Sequence, residues 1–509
     1  MHGIAYWIEK RARITPTRIA VLANDQSLTY QEMNEQIQHL ANYLRYELQV
    51  KKGDRIGILS QNSLEYVLLL FAIAKLGAIA VPFNIRLTPA ELDYQFEDSG
   101  IRVLFAQPQF ASTIELIKSM ASVAHMIWLE PGELPWSQDD GPSDSSQHTR
   151  TDADDGSGDD PYIICYTSGT TGKPKGAVLT QENMFWNSVH NVAALDLTSE
   201  DCSIVLLPLF HIGGIGLFAF PTWLAGGRVV VAGKFDPDKA IQLIETHRVT
   251  IVMGVPAIHE AIRQSPLFAT TSFDSVRWFY NGGAPCPKEL IQHFQERGLP
   301  FGQGYGLTET SPTVFMIAKE DARRKAGSIG KPVMFCEVRL ISDDGKDVGQ
   351  GEIGELLVKG PNVMKEYWNR PEETARTIRD GWLYTGDLAR FDEEGFTYIV
   401  GRRKDMIISG GENIYPLELE QVIGELDGVQ EAAVVGVPDE KWGEVAKAFI
   451  VPKSGAVITE AHIKAHCEQR LAKYKIPKSF VFLTELPRNA TGKIVKQALT
   501  RLKSDSITQ

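Results

Sequence analysis

The segment that narrows the possible folds most is Tyr162-Ile163-Ile164-Cys165-Tyr166, which runs straight into Thr167-Ser168-Gly169-Thr170-Thr171-Gly172-Lys173-Pro174-Lys175-Gly176. The apolar run reads as a buried strand. The ten residues after it include three glycines, four hydroxyl side chains and two lysines. Glycines let backbone N–H groups approach a ligand, hydroxyls add donors, and ammonium groups neutralise charge, so the loop reads as a polyphosphate cradle. It is not a Walker A loop, because Gly172-Lys173 is followed by Pro174 and no glycine stands at 167. The plainer reading, a flexible connector between two strands, leaves the hydroxyls and lysines unexplained.

Elements around this loop follow an α/β pattern. Thr29 is a helix cap ahead of the periodic run Tyr30 to Tyr46. Arg55-Ile56-Gly57-Ile58-Leu59 is a strand, Glu65 to Leu76 is a helix ending at Gly77, and Ala78 to Val81 is a second strand. Strand, helix, strand at this spacing implies a parallel sheet. From Ser137 to Asp160 the chain holds eight aspartates and almost nothing apolar, which predicts a solvated surface insertion. Glu337–Ile341 and Gly354–Val358 suggest an antiparallel β segment, and the last hundred or so residues carry their own α/β pattern, with strands at 432–437 and 448–451. A chain of 509 residues is too long for one ordinary core. The expected fold is therefore α/β: a large N-terminal domain of α/β subdomains plus a β segment, and a small α+β C-terminal domain.

Bulk properties narrow the function classes. A net charge of −12 speaks against nucleic acid and against charge-driven binding to anionic lipid. Five scattered cysteines without a C-x-x-C pair read as reduced thiols of a cytoplasmic protein. The N-terminus lacks the apolar stretch of a signal peptide. The most apolar region, 204–224, is broken by Pro208, His211, Gly213, Gly214, Gly216 and Pro221, and so reads as buried core and not a membrane span. Small molecules are the expected partners, and a homodimer is left open.

The glycine-rich loop resembles the phosphate-binding signature of the adenylate-forming superfamily, which comprises acyl-CoA synthetases, peptide-synthetase adenylation domains and firefly luciferase. Five further segments resemble that family's motifs in its own order. They are Gly282-Gly283-Ala284-Pro285, Gly304-Tyr305-Gly306-Leu307-Thr308-Glu309, Tyr384-Thr385-Gly386-Asp387-Leu388, Gly401-Arg402-Arg403-Lys404-Asp405 and Pro487 to Lys493.

The resemblance implies attack by a substrate carboxylate on the α-phosphorus of ATP, then transfer of the acyl group to coenzyme A. Thr167, Ser168, Gly169, Thr170, Thr171, Gly172 and Lys175 would hold phosphates. Gly283, Ala284, Pro285, Gly304 and Tyr305 would lie along the adenine. Glu309 is the implied Mg²⁺ ligand, since Mg²⁺ prefers one or two carboxylates plus phosphate oxygens, with Thr308 beside it. Asp387 would accept from the ribose hydroxyls, and Arg402 would reach ribose or phosphate. Lys493 is the implied catalytic cation of the first half-reaction. Domains at 1–400 and 405–509 would turn about a hinge at 401–404, with Lys404 as pivot, to bring Gly410 and Gly411 beside pantetheine. Some relatives carry a lysine where Ile408 stands here. Pro208 to Gly214 resembles the segment whose aromatic residue, here His211, gates the acyl pocket. The apolar, glycine-rich surroundings suit a medium- or long-chain fatty acid, with an aryl acid or o-succinylbenzoate as the second choice and a carrier-protein acceptor as a further alternative.

Overall fold

The computed structural model describes residues 1–23, 26–130, 156–167, 173–488 and 493–502. The chain packs into two compact units, Met1–Glu337 with Val358–Leu383, and Val338–Leu357 with Tyr384–Gln509.

The first unit is α/β, as expected. Thr29 caps the helix Tyr30–Asn42 through a reciprocal capping box with Glu32. Strand Arg55–Leu59, helix Leu64–Lys75 and strand Ile79–Pro82 form the expected parallel crossover, in register Arg55 to Ile79 and Ile56 to Ala80. Every residue of that helix is buried, which explains its continuous apolar run where a surface helix would show a stripe. Among the described residues the sheet has seven strands, in the order 366–367, 175–180, 161–167, 79–82, 55–59, 103–106 and 125–128. Gly57 is required at its place: a Cβ there would meet the Phe83 ring at 2.7 Å. A second sheet of nine strands runs 331–332, 313–316, 301–306, 278–281, 251–254, 202–205, 228–231, 19–23 and 26–29. The apolar region at 204–224 folds into short helices, Ile212–Gly216 and Ala219–Ala225, with Phe220 and Trp223 fully buried. Among the described residues no helix is long and apolar enough to cross a membrane.

The aspartate-rich segment needs a partial correction. Residues 137–155 lie outside the described residues, but 156–160 are packed. Gly156 donates to the Lys75 carbonyl, and buried Asp160 pairs with Lys52 at 2.8 Å and accepts from the Ser157 N–H. Composition alone hid this, because a single satisfied carboxylate looks like its solvated neighbours.

Two buried histidines make the fold sensitive to acid. His190 is fully buried with no hydrogen-bond partner at either ring nitrogen among the described residues, and His259 has its Nε2 against the Tyr280 carbonyl at 3.0 Å. Burial pushes both down from 6.5 to about 4. The unfolded chain takes up protons below pH 6.5 that the folded chain refuses until about pH 4. Stability is therefore lost as pH falls through that window, by at most about 1.4 kcal/mol per unit for each histidine. Denaturant melts of His190→Leu should show a shallower loss than the parent between these pH values; an equal slope would contradict the assignment.

In the second unit, strand Trp382–Phe391 pairs antiparallel with Thr397–Arg402 and lies beside Gly354–Lys359, which neighbours Glu337–Ile341. Strands Val429–Asp439 and Gly443–Pro452 form an antiparallel pair, and Ser479–Phe482 runs parallel to the second of them. Helices Pro416–Gly424 and Glu460–Glu468 cover one face through Leu419, Ile423 and Ile463. Phe449, Leu486 and Leu499 fill the other. By packing, residues 338–357 and 384–400 group with the C-terminal part, whereas the family resemblance implies a first domain of 1–400. The reason is long-range: Arg403 bonds Glu355 at 2.7 Å and Asp343 at 2.6 Å, contacts no local pattern reveals.

Candidate active site

Strands Pro161–Thr167 and Lys175–Thr180 are antiparallel partners, with Thr167 opposite Lys175. The Thr167 hydroxyl donates to the Lys175 carbonyl at 3.5 Å. Ser168, Gly169, Thr170, Thr171 and Gly172 lie outside the described residues. Both stems are fixed by the helix Pro89–Ser99. Tyr166 donates to Asp98 at 2.8 Å, and Arg370 holds the same carboxylate at 2.7 Å. Tyr94 donates to the Pro174 carbonyl at 3.2 Å, and the Lys173 ammonium sits 5.3 Å from that ring's centroid. Burial, with Asp98 second, pushes the Tyr166 phenol far up, so it stays a donor. Asp98, Tyr94 and Arg370 were not legible as site residues, since their role emerges only when distant segments meet.

Thr308 and Glu309 open a short 3₁₀ turn, Thr308–Thr310, after the strand Phe301–Gly306. One carboxylate oxygen of Glu309 accepts from the Tyr367 hydroxyl at 2.8 Å, and its carbonyl accepts from the Met364 N–H at 2.8 Å. Lys175, at the loop's exit, lies with its ammonium 4.4 Å from the Tyr367 ring centroid and 3.4 Å from Glu373. The buried Cys165 thiol is pushed up to about 12, mainly by burial; a backbone contact with Ile212 opposes this and the charge of Glu309 adds to it. Loop stem, His211 segment and Glu309 are thus brought together in this unit. A carboxylate, a loop lysine and a hydroxyl suit Mg²⁺ bound with a polyphosphate, which needs only one or two protein carboxylates. Among the described residues no cluster of three or more His, Cys, Asp or Glu side chains forms a metal cage.

Gly283 has φ +79°, and the Asn281 amide donates to the Ala284 carbonyl at 2.9 Å, which shapes the turn leading to Pro285. Gly304 and Tyr305 pair with Met316 and Phe315 of the neighbouring strand, and the Tyr305 ring meets Phe315 edge-on at 6.0 Å. A Cβ at Gly306 would fall 1.5 Å from the Pro312 carbonyl, so this turn admits only glycine. His211 caps the helix Ile212–Gly216, its Nδ1 accepting from the Gly213 N–H at 3.3 Å. Near it Leu206, Leu207, Gly213, Gly214, Phe218 and Met253 line a small pocket.

In the second unit Asp387 is buried and faces Arg402 across the strand pair, Nε to Oδ1 at 3.1 Å. The Thr385 hydroxyl braces this corner, donating to the Leu356 carbonyl and accepting from the Asp387 N–H. Lys404 is exposed in the 3₁₀ turn Arg403–Asp405. Gly410 and Gly411, both at positive φ, turn the chain between strands 407–409 and 412–414. A Cβ at Gly410 would press on the Trp442 ring at 2.7 Å. Lys493 is exposed, next to the bridge between Arg488 and Ile494, and the loop before it at 489–492 lies outside the described residues.

Comparison with known proteins identifies the family. Residues 8–368 match the family described as AMP-binding enzyme, and 418–493 match the AMP-binding enzyme C-terminal domain. Feruloyl-CoA synthase of an Amycolatopsis species is 42% identical, covering 98% of this chain and 99% of that relative. Long-chain-fatty-acid–CoA ligase FadD13 of Mycobacterium tuberculosis is 39% identical over 100% of both. The solved structure of o-succinylbenzoate CoA synthetase (MenE) from Bacillus subtilis, in complex with the acyl-adenylate intermediate OSB-AMP, has a TM-score of 0.85 and 35% identity, covering 98% of each chain. Because the first family match alone spans well over half of the 509 residues, this chain belongs to the AMP-binding enzymes.

Proposed function

We propose that the chain joins a medium- or long-chain fatty acid to coenzyme A, and the observation that carries this reading is its 39% identity, along the whole chain, to a long-chain-fatty-acid–CoA ligase; the apolar side chains Leu206, Leu207, Phe218 and Met253 around the Gly213-Gly214 turn support it. The chain is an AMP-forming acid–thiol ligase, with ATP, Mg²⁺ and coenzyme A as its cofactors. Carboxylate attack at the α-phosphorus is opposed by the phosphate charges, so the protein must place cations and donors there in advance. Thr167 to Gly172 and Lys175 hold phosphate oxygens, Thr308 donates to one, and Glu309 would hold Mg²⁺. That ion, when bound, neutralises phosphate charge. Gly283 to Pro285, Gly304 and Tyr305 line the adenine. Asp387 takes the ribose hydroxyls, and Arg402 orients it. Lys493 draws carboxylate and α-phosphate together. Rotation about Lys404 then exchanges Lys493 for the Gly410-Gly411 turn, which admits the thiol arm; His211 gates the acyl cavity.

A second reading, an aryl acid or o-succinylbenzoate, is favoured by the 42% identity to a feruloyl-CoA synthase and by the edge-on contact of Phe218 with Tyr280, ring centroids 5.6 Å apart. Pyrophosphate exchange with a panel of fatty and aryl acids, repeated with coenzyme A and thioester detection, separates the two. Preference for aryl acids would overturn the fatty-acid reading, and exchange without thioester would point to a carrier-protein acceptor. Five free thiols support a cytoplasmic location; a homodimer is compatible with this chemistry but not required by it.

A further inference from the structure

We infer that Tyr367 is a positioning residue for adenylation, one side chain that sets both the metal-binding carboxylate and the loop lysine. This rests on the reading of Glu309 as the Mg²⁺ ligand and Lys175 as a phosphate contact. Tyr367 lies on the short strand Glu366–Tyr367, which pairs antiparallel with Lys175–Thr180, placing it opposite Ala177. Its backbone is laced in place: its own N–H donates to the Thr374 hydroxyl at 2.9 Å, and the next N–H, of Trp368, donates to the Gly176 carbonyl at 2.7 Å. The residue is 5% exposed.

From that seat the side chain acts in two directions. The hydroxyl donates to Glu309 Oε1 at 2.8 Å, a charge-assisted bond that fixes the carboxylate plane and directs metal binding to Oε2. Single-oxygen ligation suits Mg²⁺, which demands near-octahedral geometry and retains several waters. The ring face carries the Lys175 ammonium at 4.4 Å, with Glu373 at 3.4 Å from the same ammonium. The ring quadrupole attracts the cation and, with Glu373, fixes where the ammonium stands at the end of the loop. Glu309 and Lys175 come from segments far apart in sequence; Tyr367 gives them a common reference. Partners that orient a ligating carboxylate typically matter about 10- to 100-fold to metal affinity.

The two contacts can be separated. Tyr367→Phe removes the hydroxyl and keeps the ring, whereas Tyr367→Leu removes both. Mn²⁺ binding, followed by electron paramagnetic resonance with α,β-methylene-ATP, should weaken about 10-fold in Tyr367→Phe. Metal-free binding of the same analogue in EDTA, measured by calorimetry, should stay unchanged in Tyr367→Phe and weaken in Tyr367→Leu. Glu309→Gln serves as the reference. If it leaves Mn²⁺ affinity intact, the metal reading of Glu309 fails. If it weakens Mn²⁺ while Tyr367→Phe binds like the parent, the positioning role fails and the metal reading stands. The double variant should bind Mn²⁺ no more weakly than Glu309→Gln alone; additive losses would also overturn the role.

Discussion

Lys493→Ala is expected to slow acyl-adenylate formation by about 10²- to 10³-fold, the usual loss when one preorganised electrostatic group is removed from a developing charge. The reason is specific to the first half-reaction. There an anionic carboxylate approaches an anionic triphosphate, and a cation shared between them matters most as the new P–O bond forms. In the second half-reaction a neutral thioester replaces a mixed anhydride, and the same lysine has no comparable charge to offset. Thioester formation from supplied acyl-adenylate should therefore stay within a few-fold of the parent, as rapid-quench assays of each half-reaction would show. Equal loss in both would refute the division of labour between Lys493 and the Gly410-Gly411 turn. Because Lys493 is exposed, its truncation should leave the fold intact, and a thermal melt of the variant checks this.

Glu309→Gln should lower adenylation by a comparable factor, about 10²-fold or more, for a different reason. The variant keeps the shape that accepts the Tyr367 hydrogen bond but removes the charge that Mg²⁺ requires. Raising Mg²⁺ should recover part of the rate, whereas raising the acid should not. A rate set instead by acid concentration would place Glu309 at the acyl pocket. Initial rates across a grid of Mg²⁺ and acid concentrations decide between these.

Which features are legible in the chain depends on where their determining contacts lie. The Thr29 cap, strand 55–59, the helix ending near Gly77 and the following strand are set by neighbours in sequence, and they stand within a residue or two of expectation. The proposed site positions in the loop at 167–176, Glu309 and Asp387 stand out in the sequence because each lies in a short motif whose residue types suit one chemistry. Tyr367 and Asp98 were not: Tyr367 reaches Glu309 only because strand 366–367 pairs with 175–180, and Asp98 matters only because Arg370 and Tyr166 converge on it. The grouping of 338–357 with the C-terminal part was hidden for the same reason. Nor did the pattern around Asp387 show that Arg402 would lie on its carboxylate; that follows from the antiparallel register.

Attack at the α-phosphorus is tested most sharply by the fate of the acid's own oxygen. With a carboxyl-¹⁸O-labelled acid, ATP and coenzyme A, attack of the carboxylate on the α-phosphorus followed by thiol attack on the carbonyl leaves one labelled oxygen in AMP and one in the thioester. Mass spectrometry of the products should find that pairing, with unlabelled pyrophosphate. Label in inorganic phosphate together with release of ADP would mean attack at the γ-phosphorus and would contradict this chemistry.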